Sequence, residues 1–380
     1  MKNILAIFRK YNYYGSVNNS LDFLLNLDDK KFKITIIFLK RRADHKNSRY
    51  INLLHKKKIN FFFLDEIPFI SYSVIEKLPN FIREYFIKKK WNKFFRNEYF
   101  FDYYYLNDHF MDFNYVIDKI EIKKTIFHIH YSKNLFNFNK EIINIYKQAK
   151  LNLVNNDTQK LDLIKLGIDN NKICEIKIAI DPSRWSFDQD MAQKYRKIYN
   201  IKKNKVIVAG SGSISSRKGT DFFYEIFKLL KKNNLNNELE FFWLGDFYDA
   251  KSDLSISLKE KMINNNIKII KASQNPFYFF NMLDILIIPS RKEVGPLTML
   301  ESMSLEKIVV SYQGCGMASQ ALNEQAGILL KKNKPILYFN EIKNFLNNKN
   351  KYSEIKKKAK KKVIEEFSIA NQVKKVEKLL

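Results

Sequence analysis

The sequence predicts a doubly wound α/β protein with two Rossmann-like domains, and three observations support this fold class. The chain has 380 residues, which is long for a single hydrophobic core. Its hydrophobic content of 46% is enough to fill two cores. Short apolar segments of strand length alternate with segments of helical spacing through both halves of the chain. The predicted strands are 4–8, 34–39, 61–64, 125–130 and 151–155 in the first half, and 206–209, 241–244, 267–270, 285–288 and 308–310 in the second.

The join between the two domains is expected at the Asp-Pro-Ser turn that begins at Asp181, because a charged segment follows it. Residues 1–182 then form the N-terminal domain and residues 183–360 the C-terminal domain. Residues 361–380 are expected to form a final helix.

The composition excludes several classes of protein. No apolar run reaches the 18 or so residues of a membrane span, and the first residues are expected to form a strand rather than a signal peptide. Cys174 and Cys315 are the only cysteines, which excludes a disulfide framework and fits a reducing cytoplasm. The five histidines lack metal-ligand spacing with cysteines or carboxylates, so no structural zinc site is expected.

The net charge of +27 attracts anionic partners over a long range. Nucleic acid and anionic lipid both carry the required charge. The chain has no zinc-finger spacing, RNP-like motif or Arg-rich arm, so no specific nucleic-acid contact is expected. The basic run 356–362 is expected to be the solvated face of a helix.

Residues 80–96 form the most lipid-like segment, in which six cations are interspersed with apolar and aromatic side chains. On a helix the apolar residues fall into two stripes. One stripe is Phe81, Ile82, Tyr85 and Phe86, and the other is Ile87, Trp91, Phe94 and Phe95. Two interpretations stay open: a helix packed on the core with solvated lysines, or a helix with one stripe on the core and the other at an anionic membrane surface.

Two glutamates lie eight positions apart across a predicted strand-to-helix turn. The apolar segment 285–288 predicts a buried parallel strand, and Glu293 follows it in a loop. Gly295 allows close approach of a ligand to the backbone, and Pro296 suits the first position of a helix. Glu301 then falls in the second turn of that helix. Ligands bind at the carboxyl ends of strands in such sheets, where a helix N-terminus attracts a phosphate and carboxylates suit hydroxyl groups.

A basic loop follows another predicted strand, 206–209. The loop reads GSGSISSRKG and precedes a helical pattern. Arg217 and Lys218 are cations of the kind that can bind a diphosphate through charge-assisted hydrogen bonds. The competing interpretation is a dinucleotide fingerprint that begins Gly210-x-Gly212. It has Ser215 at the third glycine position and lacks the acidic residue about 20 positions later.

These two stretches resemble the signatures of the retaining GT-B glycosyltransferases of family 4. PSRKEVGPLTMLESMS is similar to the family's E-x7-E motif, with Val-Gly-Pro where the pattern prefers Gly-Phe-Gly. The basic loop is similar to the family's phosphate clamp, with Lys218 on the lysine and Ser213 in place of the arginine. The resemblance is strong over 205–330 and topological before that. It implies the GT-B fold: two Rossmann-like domains that face a cleft, an acceptor-side N-terminal domain, and a final helix that crosses back to it.

The resemblance also implies roles for the residues in these motifs. Glu301 is expected on the ribose hydroxyls and Glu293, a catalytic candidate, on the donor-sugar hydroxyls. Arg217 and Lys218 are expected on the diphosphate, with Arg217 supplying the charge that Ser213 lacks. The donor-binding set is completed by Gly15, Gly212, Ser213, Gly295, Pro296 and Leu297.

His130 is the second catalytic candidate that the resemblance implies. In the family a histidine at the carboxyl end of an equivalent strand contacts the donor sugar. His128 and His130 share a face of the predicted strand, and His130 lies closer to its end. Which of the two faces the cleft stays open.

The sequence therefore predicts a cytoplasmic retaining glycosyltransferase, at the inner face of the plasma membrane if residues 80–96 bind lipid. It is expected to use a UDP- or GDP-linked sugar, without a metal, and to act on a glycan or lipid-linked acceptor in cell-surface polysaccharide or lipopolysaccharide synthesis. Two alternatives stay open: a basic nucleic-acid-binding protein, and an inactive GT-B-like scaffold, which Ser213 favours.

Overall fold

The computed structural model describes residues 1–11, 15–40, 49–66, 78–96, 100–107, 114–130, 139–247, 253–271 and 276–380. The chain divides into two compact units. The first unit comprises Met1–Ile178 and Ile369–Leu380, and the second comprises Ala179–Ser368. The boundary thus lies at residue 178, where the sequence placed it at 182, and the segment that returns to the first unit begins at 369, where the sequence placed its start at 361.

The first unit is built on a parallel sheet of seven strands in the order β3-β2-β1-β4-β5-β6-β7. The core strands are apolar runs that are buried on both faces, as parallel strands covered by helices require. The strands are β1 Lys2–Lys10, β2 Phe32–Lys40, β3 Asn60–Phe63, β4 Tyr103–Asn107, β5 Thr125–Ile129, β6 Leu151–Val154 and β7 Ile173–Glu175. The sequence predicted five of these and missed β4 and β7.

The second unit is built on a parallel sheet of six strands in the order β10-β9-β8-β11-β12-β13. The strands are β8 Val206–Ser211, β9 Leu239–Leu244, β10 Lys268–Ile270, β11 Ile285–Ile287, β12 Ile308–Tyr312 and β13 Ile328–Leu330. The sequence missed only β13. In both sheets the strand order reverses beside the first strand of the unit, which creates the crevice where doubly wound sheets bind ligands.

The helices follow the strands as crossover connections. In the first unit they are α1 Gly15–Leu25, α2 Arg49–Lys56, α3 Asn80–Phe95, α4 Asn114–Ile117, α5 Lys140–Gln148 and α6 Asp157–Lys165. In the second unit they are α7 Gln189–Ile198, α8 Thr220–Lys232, α9 Asp253–Asn264, α10 Phe277–Met282, α11 Leu297–Ser304, α12 Ala318–Ala321, α13 Pro335–Asn347 and α14 Ser353–Glu366. The last helix, α15 Ile369–Glu377, belongs to the first unit.

Helix α15 docks on the first unit through side-chain and backbone hydrogen bonds. Glu377 accepts a hydrogen bond from the backbone N–H of Asp28 at 2.7 Å, and Gln372 accepts one from Lys177 at 3.0 Å. The end of the chain therefore returns to the N-terminal domain, as the sequence predicted.

The two apolar stripes of the lipid-like segment lie in different surroundings on helix α3. Ile87 and Trp91 are buried, and Phe94 and Phe95 pack against the same core. Phe81 is instead 74% exposed and Tyr85 is 61% exposed. Only one of the two stripes is thus available at the surface, and the other is part of the hydrophobic core.

Helix α14 carries the basic run whose cations were expected to be solvated. Lys357 and Lys361 are 68% and 74% exposed, as expected. The prediction is wrong for Lys362, whose side chain is 6% exposed and pairs with Glu324 at 3.1 Å and Glu366 at 3.0 Å. The two carboxylates compensate the positive charge of Lys362, which lies on the buried face of α14.

Candidate functional site

The first part of the site is the loop that follows β8 at the carboxyl edge of the second sheet. Gly212 has a φ of +124°, and its carbonyl oxygen accepts a 2.9 Å hydrogen bond from the indole N–H of Trp243. A Cβ at Gly212 would lie 3.0 Å from the Lys218 side chain, and a Cβ at Gly245 would overlap the Gly212 carbonyl. Trp243 and Gly245, which sequence reasoning missed, therefore set the path of the loop beneath Lys218.

The loop ends in a 3-10 turn, Ser216–Lys218, that lies against the end of β11. Ser215 caps the turn by accepting from the backbone N–H of Lys218. Gly219 has a φ of +69°, and a Cβ there would overlap the carbonyl of Pro289. A left-handed residue without a side chain is thus required where the two loops touch.

The structure brings three of the predicted site residues together across the two loops. The ammonium Nζ of Lys218 donates to Glu293 Oε2 at 2.6 Å, and Arg217 Nη1 lies 3.5 Å from the same oxygen. The Lys218 and Glu293 side chains are 17% and 13% exposed, whereas Arg217 is 45% exposed. The site therefore holds two cations and one carboxylate, and it carries a net positive charge that suits a diphosphate.

Arg291 ties the two loops to each other and was missed from the sequence. Its guanidinium makes a bidentate pair with Asp221 at 2.6 and 2.7 Å and donates to the carbonyl of Ser216 at 2.6 Å. Its backbone N–H donates to the carbonyl of Arg217 at 2.8 Å. The hydrogen bonds that Arg291 donates to Asp221 raise the pKa of Arg291 above its ordinary value. Arg291 thus holds the turn that carries Arg217 and Lys218.

Helix α11 places the second glutamate near this edge. Glu301 lies in its second turn, as predicted, and Gly295 lies in the loop before it. Pro296 is the N-cap residue rather than the first helical residue, because its ψ of 113° keeps it extended. The helix then begins at Leu297, without a side-chain cap. The loop is also braced from β12, since a Cβ at Gly316 would lie 2.5 Å from the carbonyl oxygen of Val294.

Two further candidates lie in the first unit. Gly15 is the first residue of α1, and His130 directly follows β5. The rings of His128 and His130 lie 4.0 Å apart between centroids. Burial lowers the pKa of His128 to about 4, and burial together with the unfavourable interaction of two neighbouring imidazolium rings lowers the pKa of His130 well below its ordinary value. Both rings are therefore neutral at physiological pH. Ser213, the remaining predicted residue, contacts Ser215 through its hydroxyl at 3.1 Å.

The described ranges contain no group of three or more His, Cys, Asp or Glu side chains that could hold a metal ion. In the same part of the chain, no helix is both long and apolar enough to cross a membrane.

Comparison with known proteins identifies the second unit. Residues 191–362 match the family described as Glycosyl transferases group 1. The chain is 26% identical over 151 residues to the alpha-galactosylglucosyldiacylglycerol synthase of Streptococcus pneumoniae, covering 38% of this chain and 39% of that protein. It is 24% identical over 243 residues to the UDP-Gal:alpha-D-GlcNAc-diphosphoundecaprenol alpha-1,3-galactosyltransferase of Escherichia coli, covering 61% and 59%. The chain thus matches only part of the length of these relatives.

The fold is similar to solved structures over the whole chain. The crystal structure of Anabaena Alr3699/HepE in complex with UDP-glucose superposes with a TM-score of 0.80 at 15% identity and covers 100% of both chains.

Fold and site together define a GT-B protein of two Rossmann-like domains. Residues 191–362 are similar to the group 1 glycosyltransferases, as the resemblance in the two motifs predicted.

Proposed function

We propose that this chain transfers a sugar from a nucleotide-sugar donor to a glycan or lipid-linked acceptor with retention of anomeric configuration. Its role is proposed to lie in cell-surface polysaccharide or lipopolysaccharide synthesis. The observation that carries the proposal is the cluster of Lys218, Arg217 and Glu293 at the strand-order reversal of the second sheet. Lys218 and Arg217 are cations that suit a diphosphate, and Glu293 is a carboxylate that suits a sugar hydroxyl. The charged atoms of both cations lie within 3.5 Å of Glu293 Oε2.

The cations have a direct role in the proposed reaction. The bond from the sugar to the diphosphate breaks, and negative charge develops on the leaving phosphate. Lys218 and Arg217 stabilise that charge from fixed positions, because Arg291 and the Gly212 loop hold them before the donor arrives. Protein cations thus take the part that a divalent metal plays in other transferases.

The carboxylates orient the donor. Glu301 is proposed to bind the ribose hydroxyls and Glu293 the hydroxyls of the transferred sugar, with the backbone at Gly295, Pro296 and Leu297 closing over the phosphates. In the first unit, His130 is proposed to contact the sugar, and Gly15 to lie near the donor phosphates or the acceptor. The relatives in Streptococcus and Escherichia are named for diacylglycerol and diphosphoundecaprenol substrates, which supports a lipid-linked acceptor here.

The donor is tested by thermal shift and calorimetry with UDP, GDP and their sugars. One of the nucleotides is expected to raise the melting temperature of the protein. The sugar linked to that nucleotide is expected to be transferred, and NMR of the product should show an α anomer when the donor is α-linked. The UDP-glucose complex of the structural neighbour makes UDP-glucose the first donor to try. No binding of any nucleotide, with salt-sensitive retention on heparin, would instead favour a nucleic-acid-binding protein. Nucleotide binding without transfer would favour the inactive scaffold.

We also propose that the chain acts in the cytoplasm at the inner face of the plasma membrane, through the exposed face of α3. Phe81 and Tyr85 lie four positions apart on that face, and the exposed Lys88 and Lys89 continue it by one further turn. Aromatic rings enter the interface and cations meet anionic headgroups. Trp91 is excluded from this role because it belongs to the core.

The membrane proposal is tested by co-sedimentation with anionic and neutral vesicles. Lys88→Gln with Lys89→Gln should lower pelleting with anionic vesicles and leave nucleotide affinity unchanged. The matched control is Lys357→Gln with Lys361→Gln, which removes the same charge from an exposed face of α14. An equal loss in both double variants would show that net charge alone, and not this face, binds the vesicles.

A further inference from the structure

A buried polar cluster surrounds His130 at the carboxyl edge of the first sheet. Asn107, the last residue of β4, is 1% exposed, and its Oδ1 lies 2.8 Å from His130 Nε2. Ser20 of α1 is fully buried and donates to the same oxygen at 2.5 Å. Its hydroxyl also lies 3.1 Å from His130 Nε2. An amide and a hydroxyl, with no charge between them, thus converge on one nitrogen of the ring.

His128 is held by neutral partners in the same way. Its Nε2 lies 3.1 Å from Asn155 Oδ1, and the amide nitrogen of Asn155 donates to the carbonyl of Ile129 at 2.9 Å. Asn155 Oδ1 must therefore accept, so the His128 proton is on Nε2. Nδ1 then accepts from the Tyr105 hydroxyl at 2.5 Å. Burial raises the pKa of Tyr105, which keeps that hydroxyl protonated.

The proton of His130 follows from the orientation of the Asn107 amide, whose Oδ1 also accepts from Ser20 and whose Nδ2 has no hydrogen-bond partner among the described residues. Asn107 Oδ1 is an acceptor, so His130 Nε2 donates to it and Nδ1 keeps its lone pair. Among the described residues, no group is hydrogen-bonded to His130 Nδ1. Within the part of the chain that the structure describes, the groups that touch the two rings from α1, β4, β5 and the end of β6 include three titratable side chains. These are His128, His130 and Tyr105.

We infer that Asn107 and Ser20 are positioning residues that keep His130 uncharged, with its proton on Nε2 and its Nδ1 ready to accept a hydroxyl of the donor sugar. The inference rests on the proposed function, in which His130 contacts that sugar. A lone pair at Nδ1 requires a partner that brings a hydrogen. The first unit is thus built to take a sugar hydroxyl at this point and to reject a carboxylate or phosphate oxygen.

The test replaces the neutral amide by a carboxylate of the same shape. In Asn107→Asp the new anion lies beside Nε2 and favours the imidazolium, which raises the pKa of His130. The matched control is Asn152→Asp on β6. Asn152 is equally buried, but its amide donates to the backbone carbonyls of Tyr146 and Lys172.

The first readout is long-range proton–nitrogen NMR of protein labelled with 15N-histidine, between pH 5 and 8. In the wild type and in Asn152→Asp, His130 should stay neutral with its proton on Nε2. In Asn107→Asp it should titrate within or near this range. A wild-type His130 that titrates there, or that carries its proton on Nδ1, would overturn the inference. So would an Asn107→Asp spectrum that matches the Asn152→Asp control.

The second readout is the pH dependence of kcat/KM for UDP-glucose. At pH values below the raised pKa of His130, kcat/KM of Asn107→Asp should fall about tenfold for each pH unit. The kcat/KM of the wild type and of Asn152→Asp should not show this fall. Asn107→Ala, which tests the same contact if the aspartate variant does not fold, should populate both tautomers of His130. If UDP-glucose is not turned over but the NMR results are as expected, the proposed function fails for this donor and the positioning of His130 stands.

Discussion

Replacing Glu293 by glutamine should strengthen the binding of UDP while weakening the transfer of sugar. Glu293 Oε2 lies 2.6 Å from the ammonium of Lys218 and 3.5 Å from the guanidinium of Arg217. A diphosphate needs the same two cations. The carboxylate therefore competes with the ligand, and an amide of the same shape does not.

The size of the effect follows from the exposure of the pair. Two opposite charges about 4 Å apart attract by about 4 kcal/mol at an effective dielectric constant of 20. The Lys218 and Glu293 side chains are still 17% and 13% exposed, so hydration cancels most of that attraction. A net value of about 1 kcal/mol is expected. UDP should accordingly bind about fivefold tighter to Glu293→Gln.

Replacing Lys218 by alanine should instead weaken the binding of UDP. Lys218→Ala removes a charge-assisted contact worth roughly 1.5 to 3 kcal/mol, which corresponds to a loss of about 10- to 100-fold in UDP affinity. A double-mutant cycle measures how far the two effects depend on each other. Salt should reduce the Lys218 effect, because the contact is partly solvated.

Isothermal titration calorimetry with UDP measures these affinities, and turnover of the nucleotide sugar measures transfer. Glu306→Gln is the matched control, since Glu306 pairs with Lys360 at 2.7 Å in the same unit but at the amino end of β12. It should leave UDP affinity unchanged. If Glu293→Gln also leaves UDP affinity unchanged, or weakens it, the pair does not compete with the diphosphate and the assignment of Lys218 is refuted.

Three other predictions concern the ribose, the membrane and metal dependence. Glu301→Ala should weaken nucleotide binding about a hundredfold, because a charged acceptor of two hydroxyls contributes roughly 2 to 3 kcal/mol; unchanged affinity by calorimetry would contradict its role. Lys88→Gln with Lys89→Gln should cost about 2 kcal/mol of binding to anionic vesicles, at about 1 kcal/mol per cation. Adding Phe81→Ser and Tyr85→Ser should remove the remaining pelleting, whereas persistent pelleting would exclude this face. Excess EDTA should leave turnover intact, and its abolition would instead require a divalent metal.

The sequence alone determined the fold class and the two loops of the candidate site. Both are local properties of the chain. Apolar runs of strand length alternate with helical spacing whatever the partners are, and Glu293 and Glu301 share one short stretch, as do Arg217 and Lys218. Strands that lack a long apolar run escaped the same reasoning. β4 is built of three tyrosines, Leu106 and Asn107, and β7 consists of Ile173, Cys174 and Glu175.

Only the tertiary structure decided which of these residues meet. Lys218 and Glu293 are 75 positions apart, and they touch because β8 and β11 are neighbours in the sheet and Arg291 holds their loops together. Trp91 is buried in the core and Phe81 is exposed, although the sequence did not distinguish the two apolar stripes of α3 to which they belong. The reason is common to all of these cases. The pattern along a chain fixes which face of an element is apolar, but contacts between distant elements depend on strand order, crossover and packing, and no local pattern encodes these.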